Sequence, residues 1–249
     1  MNPLRGYAVA VSFLTRVPAA RRVPPDGAEI AAASVFYPAV GLSVGAVGAS
    51  LALLFTHLAA PLLAVAIMVT TIVLTGAFHE DGLADALDGL GGGLSRERAL
   101  EIMKDSRIGS FGGVGITLLL LGRFALYQAI PRAALPAALL VAGGLSRFGA
   151  LPVMTFLAYA RPQGIASAHA RNVGARMLLA GALLPALLAA VGGAPAVCAL
   201  AVVAVVSGIL ALWLRSRLGG YTGDTLGLTV CLCEVAALCC YVGTGWGGR

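Results

Sequence analysis

Charge is what this chain has least of. Only 11% of its 249 residues are Asp, Glu, Lys or Arg, aromatic residues make up 6%, and there are three histidines. So few charges exclude an ordinary soluble domain, in which about a quarter of the residues are charged. Cysteines are few and unpatterned: Cys198, Cys231, Cys233, Cys239 and Cys240 fall in apolar runs with no C-x-x-C pair and no neighbouring histidine. They read as small buried hydrophobes, neither metal ligands nor a disulfide set. No cleavable signal organisation opens the chain, because Arg16 interrupts the first apolar run, and the first true span is expected to remain in the mature protein. A basic stripe is missing too. The net charge is +6, yet the arginines are spread singly among loops, so no nucleic-acid partner is expected.

What is there is oil. Hydrophobic residues reach 59% and mean hydropathy is +0.92, and several apolar runs approach the roughly 20 residues that cross about 30 Å of hydrocarbon. The expected fold is an all-α, polytopic helix bundle in a lipid bilayer, a single domain over residues 1–249. Seven spans are expected at about 36–57, 61–78, 111–130, 134–158, 177–192, 195–214 and 226–243, with residues 4–18 as an interfacial helix. Gly41 and Gly45 stand at GxxxG spacing, a ridge for close helix packing that suits a homo-oligomer or contacts within one chain. Alternate connecting segments hold Arg5, Arg16, Arg21 and Arg22; Arg96, Arg98, Lys104 and Arg107; Arg161, Arg171 and Arg176; and Arg215 and Arg217. The other set holds only Arg132 and Arg249. By the positive-inside rule the N-terminus and the stretch 79–108 are cytoplasmic.

That stretch concentrates the acids. Seven of the eleven Asp and Glu residues lie between His79 and Ile108, and charge in an oily protein is costly unless solvated, paired or bound to an ion. Asp81, Asp85 and Asp88 stand at i, i+4, i+7, so a helix puts all three on one face. Their mutual repulsion is relieved by a shared divalent cation, and oxygen-only ligands favour magnesium or manganese over zinc. Gly82 and Gly89 weaken this helix at its ends, with Gly89 a candidate left-handed C-cap and Gly91 to Gly93 a turn whose N–H groups can approach an anion. Ser95 is an N-cap for a helix over 96–104, with Leu100 and Met103 toward the membrane. Taken individually, Arg96, Glu97, Arg98 and Glu101 read as solvated charges near lipid headgroups. Glu101 and Asp105 at i, i+4, with Lys104 and Arg107, supply cations and carboxylates of the kind a diphosphate substrate requires.

Two further clusters lie on the same side: residues 219–227, with Thr222, Asp224 and Thr225 among glycines, and Tyr159-Ala-Arg161-Pro-Gln-Gly164. Within the spans, Arg123 and Arg147 lie on the order of 16 to 18 Å deep at 1.5 Å per residue. Glu234, the one acid in an expected span, pairs with one of them, or one of them grips a substrate phosphate.

The motifs His79-x-Asp81-Gly82-Leu83-Ala84-Asp85-x-x-Asp88-Gly89, Ile102-Met103-Lys104-Asp105-x-Arg107-Ile108-Gly109, Ala160-Arg161-Pro162-x-Gly164 and Thr222-Gly223-Asp224-x-Leu226-Gly227 together resemble the cobalamin synthase family, the adenosylcobinamide-GDP ribazoletransferases. Phe13-Leu14-Thr15-Arg16-Val17-Pro18 and Tyr37-Pro38-x-x-Gly41-Leu42 are similar to the same family. The resemblance implies a magnesium-assisted reaction at the inner membrane of a bacterial cell. In it α-ribazole or its 5′-phosphate displaces GMP from adenosylcobinamide-GDP, the ribose 3′-hydroxyl attacking the phosphorus on the cobinamide side. Carried over, Asp81, Asp85 and Asp88 are metal ligands and catalytic groups, and Lys104 and Asp105 belong to the catalytic diphosphate site. His79, Arg107, Arg161, Thr222 and Asp224, with the buried Arg147, are the expected substrate contacts, while Glu80 carries no assigned role.

Two other classes are weighed. A CDP-alcohol phosphotransferase also uses an aspartate-rich motif at a membrane face, but carries Ala-Arg after its Asp-Gly, whereas Ala84 is followed by Asp85. A cation transporter would place its acids near the midplane on broken helices, where here only Glu234 lies.

Overall fold

The computed structural model describes residues 2–20, 25–161 and 173–242. Its regular structure is helical: α1 (Pro3–Leu14), α2 (Gly27–Ala33), α3 (Tyr37–Leu54), α4 (Ala60–Thr75), α5 (Phe78–Gly92), α6 (Arg96–Ile102), α7 (Ser110–Ala129), α8 (Leu135–Phe148), α9 (Ala150–Phe156), α10 (Ala175–Val191), α11 (Gly193–Leu218) and α12 (Gly223–Cys239). The protein is an all-α, multi-pass membrane bundle. Leu118, Leu121, Leu183, Leu187 and Leu212 are exposed on its flanks, an apolar girdle that only lipid covers without cost.

Helices stand at all seven expected span positions, but their lengths differ. Gly27–Leu54, Ser110–Ala129, Leu135–Phe156 and Gly193–Leu218 are long and apolar enough to cross a membrane unaided. Ala60–Thr75 and Ala175–Val191 have 16 and 17 residues, and Gly223–Cys239 has 17. At 1.5 Å per residue these three reach only about 24 to 26 Å, short of the hydrocarbon thickness. Four of the seven expected spans thus meet the length of a crossing by themselves, or five when α4 and α5 count as one span bent by 85°, and the remaining apolar helices are shorter.

That bend sets up everything below. Gly76 caps α4 in the left-handed region at φ 68°, and Ala77 follows there at φ 57°. Two successive left-handed residues turn the chain through 85°, so α5 does not continue along α4. We therefore assign α5 and α6 to a cap outside the spans.

The GxxxG ridge is used inside the chain. A Cβ on Gly41 or Gly45 would run into the backbone carbonyl of Gly143 or Leu139 on α8, so α3 and α8 pack backbone to backbone in the bundle centre. The expectation of uniformly buried cysteines fails at three positions: Cys231 and Cys233 are buried, but Cys198 and Cys239 are exposed and Cys240 is partly so. The Cys198 and Cys240 sulfurs lie 3.2 Å apart, joining α11 to the end of α12. Arg21, Arg22, Pro162, Gly164, Arg171 and Arg249, all cited in the sequence reading, fall outside the described residues.

Candidate active site

The acidic helix α5 is held at both ends and at its middle. Where it crosses α12, Gly82 and Gly227 allow the two backbones to meet, and a Cβ on either would press on the other helix. At its far end Arg217 of α11 donates to the carbonyls of Leu90 and Gly93, both at 3.1 Å, satisfying groups that a helix C-terminus leaves open. The helix runs through Gly92 with Gly93 as an extended C-cap, so the expected ending at Gly89 and the turn at Gly91 to Gly93 are both corrected. Gly89 is needed for a different reason: Ala99 and Met103 press on it, and Met103 is buried there rather than turned to lipid. Ser95 caps α6 as expected, its hydroxyl accepting from the Arg98 N–H at 3.2 Å.

Asp81, Asp85 and Asp88 do share this helix, in three environments. Asp81 is exposed and Asp85 half-buried. Burial, and after it the nearby Asp81, Asp224 and Asp88 carboxylates, push the Asp85 carboxyl up to about 6. Asp88 is only 8% exposed, and its oxygens accept from the backbone N–H of Gly109 at 2.7 Å and of Gly112 at 2.9 Å. Gly109 offers α7 no side-chain cap, so Asp88 supplies it from another helix, with its charge at the positive end of the α7 dipole. Each Asp88 oxygen thus accepts one bond that holds the start of α7. Replacing Asp88 by Ala is expected to cost about 1 to 2 kcal/mol in thermal unfolding, in the range of lost helix caps, and Asp88→Asn less. A variant as heat-stable as the parent would contradict the capping role.

Asp224 closes the site from α12. Thr222 is the N-cap, in a capping box with Thr225, and its hydroxyl donates to Asp224 Oδ2 at 3.2 Å. Arg161 donates to the same oxygen at 2.5 Å and to the Met103 carbonyl at 3.4 Å. The segment carrying Arg161 is held by an isolated parallel bridge between Tyr159 and Tyr221. Arg96 then ties three pieces together, donating from Nε to the Leu218 carbonyl at 2.7 Å and from a terminal nitrogen to the Ala160 carbonyl at 2.9 Å. The reading of Arg96 as a solvated charge is corrected accordingly.

Lys104, Asp105 and Arg107 stand apart from that face. Lys104 is exposed. Asp105 takes three hydrogen bonds from the Arg107 side chain and one from its backbone N–H, which hold its carboxyl down at about 2. The pair lines an open cleft of about 1160 Å³ together with Asp88, Arg98 and Glu101. Asp88 borders both regions and joins them.

Beneath the cap lies a buried ion network. Arg123 donates to Glu80 at 2.5 Å and to Glu234 at 3.2 Å, and Arg147 donates to the same Glu234 oxygen at 3.0 Å and to Ser146. Glu234 therefore serves both deep arginines, where pairing with one was expected. Glu80, without a role in the sequence reading, is the second counter-ion. Two acids and two bases make the network neutral, which is what permits it at this depth. His79, the residue before Glu80, faces a separate apolar cleft.

Among the described residues no three His, Cys, Asp or Glu side chains form a ready-made metal cage. Asp81, Asp85 and Asp224 act on one another electrostatically: burial and then the like charges raise the Asp85 carboxyl, and all three offer the hard carboxylate oxygens that Mg²⁺ takes.

The comparisons with known proteins match nearly the whole of this sequence. A family model described as cobalamin-5-phosphate synthase matches residues 6–242, a range that includes every site residue named above. The chain belongs to this cobalamin-5-phosphate synthase family. It is a transferase of cobalamin biosynthesis, acting in nucleotide-loop assembly. Among its relatives is the adenosylcobinamide-GDP ribazoletransferase of Leptothrix cholodnii, 39% identical over 99% of this chain and 98% of that protein. Proteins of the same name from Azorhizobium caulinodans and Ralstonia nicotianae are each 40% identical, over 94% of this chain and 94% and 93% of theirs. No solved structure matches.

For a member of this family, the motif residues visible in the sequence sit where expected on α5 and α12, but the residues that hold them do not announce themselves. Arg96 and Arg217 act on backbone carbonyls, and Glu80 is one acid among seven in its stretch.

Proposed function

We propose that the protein joins adenosylcobinamide-GDP to α-ribazole or α-ribazole 5′-phosphate, releasing GMP, at the cytoplasmic face of the bacterial inner membrane. The observation that supports this reading is Asp224, bonded by Arg161 and packed through the Gly82–Gly227 crossing against the helix that carries Asp81 and Asp85, in a membrane bundle of this family. The positive-inside distribution of arginines supports the cytoplasmic orientation of that end.

Asp81 and Asp85 would hold a Mg²⁺ ion, with Asp224 as a third oxygen donor. When bound, the ion supplies neutralisation of charge on the diphosphate. The chain's own residues do the rest. Arg161, fixed between Asp224 and the Met103 carbonyl, presents a guanidinium to phosphate oxygens, and Arg107 approaches from the open cleft once Asp105 shares it. A carboxylate of the α5 face takes the proton of the attacking ribose hydroxyl as the new O–P bond forms and the bond to the departing GMP breaks. Asp88 fixes the start of α7 against α5, so the acidic face keeps its geometry during turnover.

The test is product identity. Purified protein in lipid nanodiscs, given adenosylcobinamide-GDP and α-ribazole, is expected to release GMP only when both are present. CMP formation from a CDP-linked lipid, with no GMP from the corrinoid, would replace this reading with a lipid phosphotransferase.

A further inference from the structure

Two of the five cysteines meet at the end of the bundle farthest from the acidic face. Cys198, in the second turn of α11, donates to the Cys240 sulfur at 3.2 Å, and Cys240, the C-cap of α12, donates on to the Ala236 carbonyl at 3.6 Å. The other three are placed differently. Cys231 and Cys233 are buried, beside Arg123 and Ser207 respectively, and Cys239 is exposed. Both members of the pair reach the molecular surface, Cys198 fully and Cys240 in part, so a reagent can reach them as it cannot reach a thiol closed in the core.

Two helices measure where the pair lies. Along α12, Cys240 stands 16 residues after Asp224, about 24 Å at 1.5 Å per residue. Along α11, Cys198 stands 19 residues before Arg217, about 28 Å on the same rise. Arg217 holds the last carbonyls of α5, so both measures start at the acidic end and both cross most of the thickness of a bilayer. With the acidic face in the cytoplasm, the two thiols lie at the opposite surface, in the compartment where disulfides form and persist.

We propose that Cys198 and Cys240 are joined by a disulfide in the folded protein, a staple between α11 and α12 on the far side of the membrane. The proposal rests on the cytoplasmic orientation of the acidic face and is independent of the transfer reaction. The two sulfurs stand about 1.2 Å beyond the roughly 2.04 Å of a disulfide bond, and small rotations about the two Cα–Cβ bonds close that gap. The bond forms by thiol–disulfide exchange with an oxidised dithiol protein of that compartment. The Cys198 thiolate attacks one sulfur of the oxidant, giving a mixed disulfide and one released thiol; the Cys240 sulfur then displaces the second thiol as the Cys198–Cys240 bond forms. Two electrons and two protons leave the pair, and the disulfide of the oxidant gains them. A metal does not compete for the thiols, since among the described residues no third His, Cys, Asp or Glu joins them. The bond closes a loop of 43 residues that contains Thr222 and Asp224, and it fixes the far end of the helix whose start presents those residues to the site.

The test counts free thiols in the full chain taken directly from cells. Lysis into denaturant containing N-ethylmaleimide blocks every free thiol before air can oxidise it, and intact mass without reductant gives the number of adducts. Of the five cysteines, the parent is expected to carry three adducts, Cys198→Ser and Cys240→Ser four each, and Cys239→Ser two. Digestion of the parent should yield two peptides linked through Cys198 and Cys240 that separate on reduction. Five adducts on the parent, or a link that runs through Cys239, would overturn the proposal. After five adducts, copper-phenanthroline treatment of the membranes shows which premise fell: rapid cross-linking keeps the geometry and sinks the orientation, and no cross-linking sinks the geometry. A protein with the disulfide in place that releases no GMP would sink the transfer reaction and leave the staple standing.

Discussion

Asp85→Asn is expected to lower the rate of GMP release by at least about 10² to 10³-fold, the cost of removing one preorganised electrostatic group from a transfer site, with folded protein still in the membrane. Asparagine keeps the volume of the side chain and its capacity to hydrogen-bond, so half-buried α5 packing is undisturbed. What it removes is charge. Asp85 sits where Asp81, Asp88 and Asp224 crowd it, and a carboxylate so placed is unfavourable to the isolated protein; its removal should leave the melting temperature equal or slightly raised. Loss of turnover without loss of stability separates it from Asp88, whose oxygens hold Gly109 and Gly112 and whose substitution shows in unfolding. An Asp85→Asn protein with parental kcat would remove this residue from the chemistry.

The second large effect is on stability. Arg123→Met is expected to cost about 3 to 5 kcal/mol, as breaking a buried ion pair generally does. Arg123 is 4% exposed and is the only partner of Glu80 in the network, while Glu234 keeps Arg147. The substitution strands Glu80. Adding Glu80→Gln to Arg123→Met removes that stranded charge, so the double variant should be more stable than Arg123→Met alone, by an amount that thermal unfolding of the four-member cycle measures. Additive losses would show that the two residues do not act as a pair.

Much of the site could be read from side-chain spacing, because an α-helix repeats every 3.6 residues and Asp81 and Asp85 need only one turn to share a face. Thr222 and Asp224 were visible as a hydroxyl and a carboxylate in a glycine-rich stretch, though not as the N-cap and first-turn acid of α12. The ion network was half visible: Arg123, Arg147 and Glu234 stand out as charges inside apolar runs. Glu80 does not, since it belongs by sequence to the acidic stretch and reaches Arg123 only because α5 leaves α4 at 85°. Ala77 gives no warning of its left-handed conformation. The capping of α7 by Asp88 was not visible, because only the fold brings the start of α7 against it. Arg96 and Arg217 were hidden because their acceptors are backbone carbonyls, which every residue carries alike. Hydropathy located every expected helix, but an apolar run does not fix where its helix stops, so α4, α10 and α12 end at 16, 17 and 17 residues.

The measurement that bears most directly on the acidic face is the Mg²⁺ dependence of GMP release, made on chelator-treated protein with both substrates present. The parent is expected to be inactive without the ion and to recover fully on titration. Asp81→Asn is expected to need at least about tenfold more Mg²⁺ for half its maximal rate, in line with the loss of a carboxylate from a magnesium site. Full activity in the chelated protein, or identical Mg²⁺ titrations for the parent and Asp81→Asn, would contradict a metal-assisted transfer at these carboxylates.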